Sequence, residues 1–328
     1  MNRKFKHYQY AMAYAVQYQK ELFAYARDRQ KKNLPVSDQD YPNVVIHLSV
    51  TNPTMAPLLM IGGMGPLAGI QGFKKACSRF KNSRDIILYQ ICNTPCRTKA
   101  IEESIKSNDV LFFNKNMVVQ ALVNAIVKGQ TFFTNDLLPV DVMVLCNTAH
   151  HFLKEVKTVL KKNHFPVYRK IKIQSLIDSA INKTIATSER DVLILSSNGT
   201  RQSKLYTKRL QQNSIKFHEP DEILQQHLGK TISRGMKGFE NNYALHQGEK
   251  FFGIIKAQYP GINTLLAGCT EIPLIMNLLK QNGRHDTREF LTGIEVIDPV
   301  TEALEDTSYF QQKNCKSYKK YGNYRRLY

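Results

Sequence analysis

Residues 140–152 read VDVMVLCNTAHHF, and residues 262–275 read INTLLAGCTEIPLI. Each begins as a short, mostly apolar run, the pattern of a strand covered on both faces, and each run stops at a cysteine. A helical pattern follows in both cases, FLKEVKTVLKK from Phe152 and IPLIMNLLK from Ile272. This spacing puts Cys146 and Cys269 at the carboxyl ends of two strands, each just ahead of a helix.

Outward from these two stretches the same alternation continues. From Pro57 onward apolar strand-like runs alternate with amphipathic helical ones, the signature of βαβ units and a mainly parallel sheet. PLLMIGG ends in a glycine turn, with Pro66 suited to the first position of a helix reaching Phe80. DIILYQI (85–91) is a second strand, and helices are expected near 99–106, 116–129 and 175–187. RDVLILSSNGT restarts the pattern and opens a second lobe with helices near 220–237 and 244–258. The class is α/β in two lobes: 55–165 plus 297–328, and 166–296. The strand TGIEVID and the helix from Pro299 are expected to return to the first lobe. Residues 1–54 read differently, as an appended helix (AMAYAVQYQKELFAYA) followed by a polar linker, KKNLPVSDQDYPN.

Composition limits the function classes. The 328 residues are 42% apolar and 22% charged, and no apolar run approaches the ~20 residues that cross a bilayer. The first ten residues, MNRKFKHYQY, lack the apolar core of a secretory signal, so a cytoplasmic location is expected, with specialised delivery outside the cell left open by the N-terminal extension. The net charge of +19 raises nucleic acid as a partner. Much of that charge has a plainer account in the tail from Thr307, where six Lys/Arg and five tyrosines occur without an acid, read as a solvated basic tail. Six cysteines without a CxxC pair argue against a disulfide framework or zinc ribbon, and Cys92 and Cys96 lack further ligands nearby.

What remains is thiols as chemical groups. Ligands of open α/β sheets bind beyond the carboxyl ends of strands, where both CNT and CTE lie. A thiol at a helix N-terminus faces unpaired N–H groups, which is expected to lower its pKa. Inverting a stereocentre by deprotonation needs a base on one face and a proton donor on the other, and two thiols supply both without a metal.

Three motifs now carry a resemblance: Gly62-Gly63-Met64-Gly65-Pro66, Cys146-Asn147-Thr148-Ala149-His150 and Gly268-Cys269-Thr270-Glu271-Ile272-Pro273. In order and spacing, from about Pro57 to Ala303, they resemble the aspartate racemase branch of the aspartate/glutamate racemase family. Glu271 marks that branch, since the glutamate racemase branch typically has His at this place. The resemblance implies two pseudo-symmetric lobes, an amino-acid substrate in the cleft between them, no pyridoxal phosphate or other cofactor, no metal, and a homodimer. It implies Cys146 and Cys269 as the catalytic pair. Substrate contacts are implied for Met64, Thr270 and Glu271, and for Asn147, Thr148 and Ala149 as a loop holding the α-carboxylate through N–H groups. Pro95-Cys96-Arg97-Thr98 is similar to the family's Pro-Asp-Arg-Thr, so Arg97 is expected on a substrate carboxylate, although Cys96 replaces the acid that would orient it. Lys237 resembles a second basic position.

Three rival functions fit less well. Gly63-Met64-Gly65-Pro66-Leu67-Ala68 satisfies the G-x-G-x-x-A dinucleotide pattern, yet the second strand ends in Tyr89-Gln90-Ile91 without the acid that would hold a ribose. A related isomerase or decarboxylase could use the same scaffold. A binding or effector protein that has lost turnover would not need the intact cysteine pair. His150 and His151 are expected to cap or pack at the helix start, and Asp298 to steady the pocket.

Overall fold

The computed structural model describes residues 2–106, 113–133, 139–187 and 191–307. Among the described residues ten strands form two sheets. The first holds β1 (Asn2–Phe5), β2 (Val44–Leu48), β3 (Leu58–Gly62), β4 (Ile86–Gln90), β5 (Val140–Val144) and β6 (Ile171–Gln174), in the order β1-β2-β4-β3-β5-β6. The second holds β7 (Asp191–Ser196), β8 (Lys216–His218), β9 (Thr264–Gly268) and β10 (Glu295–Ile297), in the order β10-β9-β7-β8. Every pairing is parallel except β2 with β4. Helices cover both faces, which is why β3, β4, β5 and β9 are buried at every position and read as mostly apolar runs, the buried Asp141 of β5 being paired with Arg84.

The N-terminal segment is more than a helix and a linker. Helix α1 (Tyr8–Lys31) buries Ala11, Ala15, Tyr18, Leu22 and Ala26, a stripe at helical spacing, and packs on α2 (Pro66–Phe80). Burying Leu22 alone contributes about 1.5–3 kcal/mol. Strand β2, the run VVIHL that follows the polar stretch, inserts antiparallel beside β4 with all five residues buried. Residues 2–48 thus extend the first sheet.

The crossings between lobes also fall elsewhere than expected. Strand β6 pairs with β5, so the first sheet runs on to Gln174 instead of ending near 165. Strand β10 pairs with β9 and stays in the second sheet. Among the described residues only the helix at 299–307 returns, held on α2 by Lys75 to Asp298 and by Arg79 to Glu305. One apolar cluster joins α1, β2 and α2 to the helices Glu222–Lys230 and Asn241–Gln258 of the second lobe. No helix among the described residues is long and apolar enough to cross a membrane. The basic tail beyond Thr307 lies outside the described residues.

Candidate active site

The glycine turn after β3 builds the floor of the site. Gly63 sits at φ 93°, a conformation that favours glycine, and any Cβ there would strike the backbone of Ile91 and Cys92. Gly65 is needed for a different reason: the Glu271 carboxylate lies against its Cα, where a Cβ would stand. The carbonyl of Met64 accepts from both Arg97 Nη2 at 2.7 Å and Lys237 Nζ at 2.9 Å, so the two expected cations meet on one atom. Arg97, the first residue of helix α3 (Arg97–Lys106), also donates Nη1 to the carbonyls of Pro95 at 3.2 Å and Thr94 at 3.4 Å. Backbone carbonyls therefore orient Arg97, and Cys96 is exposed beside it.

The Cys146 loop is tied to the second lobe. Asn147 receives the Tyr206 hydroxyl on Oδ1 at 2.8 Å and donates Nδ2 to the carbonyl of Ala267, two residues before Cys269, at 3.4 Å. Thr148 Oγ1 lies 2.8 Å from Ser197 Oγ and 2.9 Å from Thr200 Oγ1. The Ala149 N–H closes the turn on the Cys146 carbonyl at 3.2 Å. Asn147 and Thr148 thus tie the Cys146 loop to the other lobe through their side chains, and Ala149 closes the turn within that loop. His150 packs, as expected, and does something specific. The Leu176 N–H donates to its Nε2 at 3.1 Å, leaving the proton on Nδ1, which donates to the Cys146 carbonyl at 2.9 Å. Burial lowers the His150 pKa to about 4, so the ring is neutral.

Cys269 faces a different environment. Its Sγ donates to Glu271 Oε2 at 2.9 Å, and Thr270 Oγ1 donates to the same oxygen at 3.1 Å. Glu271 is only 3% exposed, and its Oε1 has no hydrogen-bond partner. Burial first, then the Glu271 charge, push the Cys269 thiol well above its ordinary pKa, while Lys237 pulls it partly back. This corrects the expectation of a lowered value: the start of the helix Ile272–Asn282 lies close by, but desolvation and a neighbouring carboxylate outweigh it.

Between the lobes lies a cleft of about 550 Å³, lined by Arg97, Lys230 and Lys237 and by no acidic side chain. Val36, Ser37, Cys96, Ser197 and Asn198 are also in its walls. The two thiols do not line it; Cys146 is 7% exposed and Cys269 6%. Lys237 connects the levels, lining the cleft and acting on the Cys269 thiol. Sequence reasoning missed Tyr206, Ser197, Thr200, Lys230 and the two residues from the N-terminal segment. Of these only the SSNGT turn carried a signal. Asp298 is a latch, taking Lys75 and Thr301 on Oδ2 and capping Val300 with Oδ1. Cys92 is core, against Tyr18. Gln90, where a dinucleotide fold would have its acid, bonds the Pro66 carbonyl at 2.9 Å and fills the space over Gly62 and Gly69.

Two lobes with mainly parallel sheets, each presenting a buried cysteine just past the end of an inner strand, define a racemase-type α/β scaffold. The family model for Asp/Glu/Hydantoin racemase matches residues 61–307, and the chain belongs to this family. Among solved structures, an aspartate racemase of Picrophilus torridus is similar at 23% identity over 78% of this chain and 94% of that one, with a TM-score of 0.56. A putative Asp/Glu racemase from Yersinia pestis is similar at 15% identity over 79% and 100%, TM-score 0.51. An aspartate racemase homologue from Pyrococcus horikoshii is similar at 19% identity over 79% and 100%, TM-score 0.50.

Proposed function

We propose that the protein is an amino-acid racemase acting without pyridoxal phosphate, with aspartate the first substrate to test. Cys146 and Cys269 are its acid/base pair. One thiolate takes the Cα proton onto sulfur, and the opposite thiol gives its own proton to the other face of Cα, leaving the thiols with exchanged roles. Because Glu271 and burial favour the protonated form of Cys269, that residue is the donor in the first half of the cycle. Arg97, Lys237 and Lys230 hold the carboxylates, in a cleft whose lining carries no opposing charge. Asn147, Thr148 and Ala149 orient Cys146. The homodimer enters the proposal on family resemblance, and sedimentation mass tests it.

The observation that carries this reading is the bond from Asn147, next to Cys146, to the Ala267 carbonyl, two residues from Cys269, which sets the two cysteine loops against each other across the lobes. The test is exchange. In D₂O, L-aspartate should yield D-aspartate that carries deuterium at Cα from the first turnover, before deuterium enters the remaining L-aspartate. Cys146→Ala and Cys269→Ala should each lose at least about 10²-fold in racemisation. Parent-rate turnover by either variant would end the two-thiol mechanism, and an absence of exchange with every amino acid would end the racemase assignment.

A further inference from the structure

The N-terminal segment, which precedes the residues matched by the family model, reaches the cleft itself. After α1 the chain folds back, with Arg29 Nε on the Pro35 carbonyl at 2.8 Å. Ser37 then caps a short turn, its Oγ accepting from the Gln39 N–H at 3.2 Å and its own N–H donating to Asp40 at 3.0 Å. The tip of this turn, Val36 and Ser37, is half-buried and lines the cleft beside Arg97 and Lys237.

Its anchors fall next to the residues that matter. Gln39 Nε2 donates at 3.0 Å to the Thr94 carbonyl, the same oxygen that Arg97 reaches. Gln30 Nε2 donates at 3.2 Å to the Gly238 carbonyl, one residue past Lys237. Phe239, held at φ 59°, packs between Phe23, which it meets edge to face, and the tilted ring of Tyr41, with ring centroids 5.2 Å away on both sides. The segment is therefore fixed to the backbone that carries each cation, one on each lobe, and the wall it forms cannot shift without them.

We infer that the turn at residues 36–40 is the specificity-determining wall of the cleft, with Val36 setting the length of substrate side chain admitted. The inference rests on the racemase reading. Val36 is an apolar stop in a cleft that otherwise presents mainly cations, hydroxyls and amides, with Ile232 the other aliphatic side chain in its lining, so a longer side chain meets Val36 while its carboxylates are still being placed on Arg97 and Lys237. A methylene gained or lost at such a wall changes kcat/KM by about 10–200-fold.

The full-length protein with Val36→Gly or Val36→Trp tests this on aspartate, glutamate and α-aminoadipate, each one methylene longer than the last. Val36→Gly should raise the ratio of kcat/KM for longer over shorter substrates by about tenfold or more, and Val36→Trp should lower it comparably. Ratios within about twofold of the parent in both variants overturn the inference. An independent readout is alkylation of Cys96 by iodoacetamide in a Cys315→Ser background, followed by peptide mass. Val36→Trp should slow it, and Val36→Gly should speed it. If the parent exchanges no Cα proton with any of the three amino acids, the racemase reading fails by itself, and the wall is judged on alkylation, where equal rates in all three proteins overturn it.

Discussion

Tyr206→Phe deletes a single oxygen from between the lobes, and its effect can be worked out from the bonds that oxygen makes. Tyr206 and Asn147 are each 2% exposed, so water does not readily replace a lost partner at either. Burial pushes the Tyr206 phenol well above its ordinary pKa, which keeps it protonated and donating throughout any practical assay range. Without the hydroxyl, Asn147 Oδ1 is left buried and lacks its donor, at a cost of about 1–3 kcal/mol. The ring remains, so little cavity forms. Asn147→Ala orphans the Tyr206 hydroxyl and also frees the Ala267 carbonyl. The double variant loses the shared bond only once and should be less destabilised than the sum of the single variants, by about 0.5–3 kcal/mol. Urea unfolding followed by circular dichroism and tyrosine fluorescence gives the cycle cleanly, since the chain contains no tryptophan. The same variants should lower kcat more than they raise KM, because the bond fixes the Cys146 loop and a displacement near 1 Å can cost about 10²-fold. Additivity within about 0.5 kcal/mol, with unchanged turnover, would refute the claim that this bond holds the thiols in register.

Two further predictions concern titration. Racemisation needs one thiolate and one thiol, so its rate should rise through the first macroscopic pKa of the pair and fall through the second. Glu271→Gln removes a negative neighbour that helps raise the Cys269 thiol, so the alkaline limb should move to lower pH, and a stationary limb would show that Glu271 does not act on Cys269. For His150 the folded pKa of about 4 lies below the unfolded value near 6.5. Between those values the unfolded chain binds a proton that the folded chain does not, so stability falls as pH drops, by on the order of 3 kcal/mol across the window. His150→Gln should flatten that slope in urea titrations between pH 4 and 6.5, and an unchanged slope would assign the loss to other groups.

The strand ends carrying Cys146 and Cys269 were legible because buried parallel strands write themselves as short apolar runs, stopped here by glycine and polar turns. Pro66 and Gly63 are likewise local signals. Strand β2 was not legible, because five residues after a polar stretch become a strand only through pairing with β4, some forty residues on. The same limit hid Tyr206, whose partner lies 59 residues away with no pattern joining them. The Cys269 thiol shows how a local rule is overridden. Proximity to a helix start predicts a lowered pKa, yet the value follows the whole surroundings, in which burial and Glu271 dominate.

The hydroxyl cluster behind Cys146 explains how two lobes from distant stretches of chain are held in one register. Thr148, Ser197 and Thr200 form a triangle of oxygens at 2.8, 2.9 and 3.0 Å. Each hydroxyl can donate once and accept once around that ring, so no member is left unsatisfied. Each such bond contributes only about 0.5–1.5 kcal/mol net, and apolar side chains could supply similar stability. What they could not supply is position: an apolar seam tolerates sliding, whereas three oxygens meet at bonding distance in one placement only. Gly199 enforces the same closeness, since any Cβ there would strike Thr148 and Thr98. Proton transfer to opposite faces of one carbon requires the reacting groups to be held within about 0.5 Å. A polar seam beside the Cys146 loop meets that demand where a greasy one would not, and through Ser197 it joins that loop to the wall of the cleft.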